Sequence, residues 1–202
     1  MKMTMRKTLA ILGVILLMGG AIATMADNKD EKDDPTKAEK AEIKRDDIDV
    51  MAKEAIDRVL VESASAKTLH KKAVGYAVFD NMKFTLLLGS AGGGVGVAVD
   101  NATGKRVYMK MATGGPALGL GGQKYQVVFF FENAAVLKNF VEKGYQAETG
   151  MTAVGGTKGA NAEATFRDGL AYWVLSEGGL MLSADITGTK YWKYDKLNTP
   201  SS

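Results

Sequence analysis

Few residues in this chain can do chemistry. It holds a single histidine, His70, and no cysteine. A serine–histidine–acid site would have to use His70, yet that residue stands in a lysine-rich helical segment, and nothing around any serine resembles a nucleophile elbow. One histidine without cysteine leaves no ligand set of the usual kind for zinc or another transition metal. The acidic residues between positions 27 and 49 lack the alternating oxygen ligands, the glycine and the closing Glu of a calcium loop. No catalytic residue, metal site or cofactor site is expected.

The glycine runs invite a nucleotide reading, and it fails on spacing. G-x-x-x-x-G-K-[ST] is absent, because the Gly-Lys pair Gly104-Lys105 is followed by Arg106. For G-x-G-x-x-G, the third glycine falls on Val97 when counted from the Gly92–Gly94 run, and on Lys124 when counted from Gly119. A glycine-rich turn can still hold phosphate through clustered backbone N–H groups. Basic side chains lie near such turns: Lys83, Lys105, Arg106, Lys124 and Lys158. Lys67, Lys71 and Lys72 crowd around His70. Taken singly, each is most simply a solvated surface residue.

The elements that must position these groups centre on Gly89–Gln123, where 11 of 35 residues are glycine. Apolar residues alternate between the glycines (Val95, Val97, Val99; Val107, Met109, Met111; Leu118, Leu120), the period of half-buried strands. Glycine within strands marks bends or close approach of another backbone. This predicts several short, curved, antiparallel strands, with a hairpin turn over residues 100–105. Val74–Phe79 reads as a buried strand ended by Asp80-Asn81, and Phe84–Leu88 as the next apolar strand. Tyr125–Phe131 is the most apolar and should be central. Asn133 caps a helix that Gly144 ends. Leu170–Leu175 and Leu180–Ile186 flank a turn as a second hairpin, and Lys190–Tyr194 adds a last strand or helical turn. Thr149–Thr165 reads as irregular strands or a long loop. The aromatics Tyr172, Trp173, Tyr191, Trp192 and Tyr194 suit either a membrane interface or the core.

Upstream, Lys2, Arg6 and Lys7 precede an uncharged run to Ala23 and small residues to Ala26, the layout of a secretory signal peptide cut after Ala23 or Ala26. The run is short for a membrane span of about 20 residues. Residues 27–47 form a charged tail, with a helix starting near Thr36. Ile48, Met51, Ala55, Ile56, Val59 and Leu60 define one apolar helical face, and a second short helix spans Ala64–Lys72. Charge bears on partners. The formal charge is +3, but residues 1–26 hold three basic and no acidic residues, leaving 23 against 23 in the remainder. That balance excludes a typical nucleic-acid binder. The order of elements predicts an α+β fold: a mainly antiparallel, strongly curved, glycine-rich sheet with N-terminal helices and one inserted helix, over residues 48–197.

The succession AVGYAVFDNMKF, GSAGGGVGVAV, TGGPALGLGGQKYQVVFFFEN with the helix AAVLKNF, AETGMTAVGGTKGANAEA and LAYWVLSEGGLMLSADITG resembles the SYLF lipid-binding domain family over about Ile48–Tyr194. That resemblance implies an exported bacterial member. It also implies binding to anionic phospholipid or a membrane surface, without enzymatic activity. Family roles for basic residues and an amphipathic N-terminal segment would fall on the helix up to Leu60 and on Lys67, Lys71 and Lys72. Lys83, Lys105, Arg106 and Lys124 complete the expected lipid-binding set. Actin, a partner of some eukaryotic members, has no evident target for an exported protein. The alternative is a periplasmic structural or protein-interaction module with an envelope protein as partner.

Overall fold

The computed structural model describes residues 36–148, 165–181 and 186–199. The signal-peptide run, most of the 149–165 segment, Lys158 and part of the expected Leu180–Ile186 strand lie outside the described residues.

Helix α1 (Lys37–Glu62) starts where the sequence offers a capping box. The Thr36 hydroxyl accepts from the Glu39 N–H, and the Glu39 carboxylate accepts from the Thr36 N–H at 2.7 Å. The helix runs unbroken across position 47, so the tail-to-domain boundary expected there falls inside it. Ile48, Ala52, Ala55, Ile56 and Val59 form its buried face. Ser63 ends α1 and opens helix α2 (Ala64–His70) by accepting from the Ala66 N–H.

Strands β1 (Gly75–Asp100) and β2 (Arg106–Phe131) pair antiparallel over almost their whole length. This corrects the expectation of several short strands. Asp80 and Asn81, read as a stop, stay in register with Gln126 and Tyr125, and Asp80 takes an ion pair from Lys124 at 3.4 Å. Cross-strand pairing overrides their turn propensity. The 101–105 turn is as expected: the Asp100 carboxylate accepts from the Ala102 and Thr103 N–H groups, both at 2.9 Å, and Gly104 takes φ +68°.

The long ribbon is doubled over. Gly92, Gly94 and Gly96 in the second half of β1 lie against the backbone of Met82, Asp80 and Val78 in its first half. A Cβ on Gly94 or Gly96 would overlap the Asp80 or Val78 carbonyl oxygen. The fold-over sits at Leu87–Gly89, where the β1–β2 register slips by one residue.

The sheet grows outward from β2. Strand β4 (Leu170–Ser176) pairs with residues 126–131, and β6 (Thr189–Lys193) with residues 109–113; the two-residue strands β3 (Tyr145–Gln146) and β5 (Gly179–Leu180) finish the edges. Every pairing is antiparallel, which with the helices makes the fold α+β. Helix α3 (Ala134–Lys143), capped by Asn133 and ended by Gly144 as the sequence predicts, packs Leu137 and Phe140 into one core with Phe79, Phe129, Tyr172 and Tyr191. The other core lies under α1, α2 and the short helix α4 (Asp195–Asn198), around Val128, Phe130 and Trp173. Tyr172, Trp173 and Tyr191 are fully buried core residues, which removes them from any membrane interface; Trp192 is 42% exposed.

Candidate functional site

Beyond the point where Gly92 crosses Met82 and Lys83, the doubled ribbon continues as a finger, and among the described residues no helix lies over it. Its outer face repeats the alternation of the strand below. Val78, buried under α1, is followed on the same face by Asp80, Met82, Phe84 and Leu86. Leu86 stands opposite Leu120. The helix covers the face only at its base, so the apolar pattern runs on into solvent. Met82, Phe84, Leu86, Leu87, Leu88, Leu118 and Leu120 are 51–84% exposed and account for seven of the eleven large exposed apolar residues among those described. No charged residue occurs over 84–99 or 111–123. An exposed apolar patch of this kind marks an interaction site more often than a lone surface leucine does.

Leu87 sharpens the point. Its φ is +56°, a left-handed conformation that costs a leucine about 1–2 kcal/mol and a glycine almost nothing. Glycine is abundant around it, so the chain has an unstrained option at the tip and carries a large apolar side chain instead. Leu87→Gly should leave thermal stability equal or higher, measured by the unfolding midpoint, while removing one tip side chain.

Polar residues lie at the inner base of the finger. Asn81, Thr113 and Tyr125 come together there, next to Thr189 and the buried Tyr191. Burial pushes the Tyr125 hydroxyl above its ordinary range and the Tyr191 hydroxyl well above it.

The basic residues expected to bind lipid are divided between two ends. Lys83 and Lys124 stand at the neck of the finger, Lys124 opposite Met82 and Lys83 opposite Gln123. Lys67, Lys71 and Lys72 are exposed on and just after α2, at the far end of the sheet. The 101–105 turn is held there by Asn101, whose N–H donates to the Val74 carbonyl at 2.9 Å and whose side-chain amide donates to that of Ala73 at 3.0 Å. Lys105 joins that end, on the rim of a cleft of about 300 Å³ between the turn and α3. The twelve-residue advance from Gly75 to Leu87 separates the two ends by roughly 40 Å at strand rise.

Arg106 serves the fold. Its Nε pairs with the Asp49 carboxylate at 3.2 Å, and the same oxygen accepts from the Tyr108 hydroxyl at 3.1 Å, clamping α1 to β2. His70 packs its ring on Phe130, centroids 5.2 Å apart. Burial first, and the Asp49 carboxylate second, push the Tyr108 hydroxyl up to about 12; burial does the same for Tyr145. Both tyrosines are neutral in folded and unfolded chains well below pH 10. Between pH 10 and 12 the unfolded chain releases protons that the folded one retains, so stability falls as pH rises through that window. Urea unfolding at pH 8 to 11.5 should show the decline, and Tyr108→Phe should reduce its slope by about one proton.

The finger is hard to read from the sequence because FTLLL, an apolar strand by composition, looks the same whether it is covered or exposed. The signal was nonetheless present: Leu86-Leu87-Leu88 breaks the period of two, immediately before glycine.

The chain matches no protein-family model. It is similar to Beta cell expansion factor A of Aeromonas veronii, with 44% identity over 155 residues, 77% of this chain. The chain spans 59% of the length of that curated relative.

Proposed function

We propose that this protein is an exported, non-enzymatic lipid-binding protein of the SYLF type that associates peripherally with a membrane through the finger. The observation that carries the reading is the charge-free, solvent-exposed apolar finger with Lys83 and Lys124 at its neck. A convex tip of this chemistry suits acyl chains, which conform to any shape. On this reading, the folding of the ribbon back on itself serves to bring four strand segments to one narrow apex. Lys83 and Lys124 then meet the head groups and add attraction for anionic lipid, about 1 kcal/mol per lysine near the surface. Among the described residues no helix is long and apolar enough to cross a membrane.

Flotation with vesicles of phosphatidylcholine alone, and with added phosphatidylglycerol, tests this. The protein should float with both, more strongly with the anionic vesicles, and only that increment should weaken with salt. Charge reversal at Lys83 and Lys124 should remove the increment. Reversal at Lys67, Lys71 and Lys72 should change flotation by less than about twofold, because those lysines lie roughly 40 Å from the tip. No flotation with either vesicle would reject the lipid reading and favour an envelope protein as partner.

A further inference from the structure

The finger has a definite length, and its composition changes along that length. From Lys83 to Leu88 the strand advances five residues, about 17 Å at strand rise. The hydrocarbon core of a bilayer is about 30 Å thick, so one leaflet contributes roughly 15 Å. The charge-free part of the finger therefore matches one leaflet and falls well short of two. Residues 82–87 pair with 119–124, and 89–91 with 114–116, so the strands of the finger hydrogen-bond to one another up to its tip.

We propose that the finger is a single-leaflet anchor that stands the molecule upright on the bilayer. Leu86, Leu87, Leu88 and Leu118 enter the acyl chains, Lys83 and Lys124 stop at the phosphates, and α2 with its lysines faces water. The ligand is the acyl-chain region of one leaflet. This rests on the lipid reading above and adds depth and orientation to it. Lys124 has a local competitor in Asp80, 3.4 Å away, so it exchanges one anion for another as the neck reaches the head groups.

The absence of cysteine makes the test clean, because a single introduced thiol is the sole labelling site. Leu88→Cys, Leu118→Cys, Lys124→Cys and Lys71→Cys would each carry an environment-sensitive fluorophore, with flotation of every labelled protein measured alongside. The expected result is quenching of the Leu88 and Leu118 positions by lipids brominated on the acyl chains, of Lys124 by a head-group quencher, and of Lys71 by aqueous iodide only. Flotation with the Leu88 and Leu118 labels still open to iodide would overturn the anchor and leave the lipid reading standing. Quenching of those labels by iodide trapped inside the vesicles would overturn the single-leaflet limit. Loss of flotation for all four labelled proteins and for the unlabelled chain would end both readings.

Discussion

Replacing Leu86, Leu87, Leu118 and Leu120 with serine should lower partition into phosphatidylcholine vesicles at least 100-fold, about 2.7 kcal/mol, with an unchanged thermal midpoint. These side chains are 66–84% exposed, so burying each in hydrocarbon contributes about 1–2 kcal/mol of the 1.5–3 kcal/mol that full burial of a leucine provides. Four together supply about 4–8 kcal/mol, well beyond the attraction of two neck lysines. None of the four belongs to either core cluster, so folding does not depend on them. Sedimentation with vesicles and a thermal melt of the same preparation separate the two effects. Retained partition would show that binding runs through another surface.

The second large effect lies in the glycines that let the ribbon double over. Gly94→Val should destabilise the fold by about 3 kcal/mol or more, because the added Cβ meets backbone, the Asp80 carbonyl, and cannot rotate away. Gly115→Ala is the control: it meets nothing within 4 Å and should change stability by less than about 0.5 kcal/mol. Urea midpoints of the two variants against the unmodified chain measure the contrast. Equal midpoints would mean that the halves of β1 do not nest as described.

Local sequence rules read much of this chain, and they failed where distant residues decide. Asn133 and Gly144 bound α3 because capping depends on a few neighbouring residues, and Asp100 with Gly104 made the hairpin turn for the same reason. Tyr125–Phe131 proved central because an apolar strand flanked on both edges by β1 and β4 needs no polar face. Asp80 and Asn81 misled, since their pairing with Gln126 and Tyr125 spans more than forty residues of sequence. Arg106 looked free and is held by Asp49, a partner on α1 that spacing alone does not reveal. Charge and neighbourhood in sequence group the lysines without regard to where folding takes them. Folding then placed Lys83 and Lys124 at one end and Lys67, Lys71, Lys72 and Lys105 at the other. The finger was the hardest to see, because a strand that is buried and one that is exposed and apolar are written with the same residues; only the end of α1's coverage tells them apart.

The central claim, that apolar contact through the finger carries membrane association, is tested most directly with a neutral phosphatidylcholine monolayer held at constant area. Protein injected beneath it should raise the surface pressure at physiological salt, and the four-serine variant should leave the pressure flat. A flat trace from the unmodified protein, or an equal rise from the variant, would contradict the account.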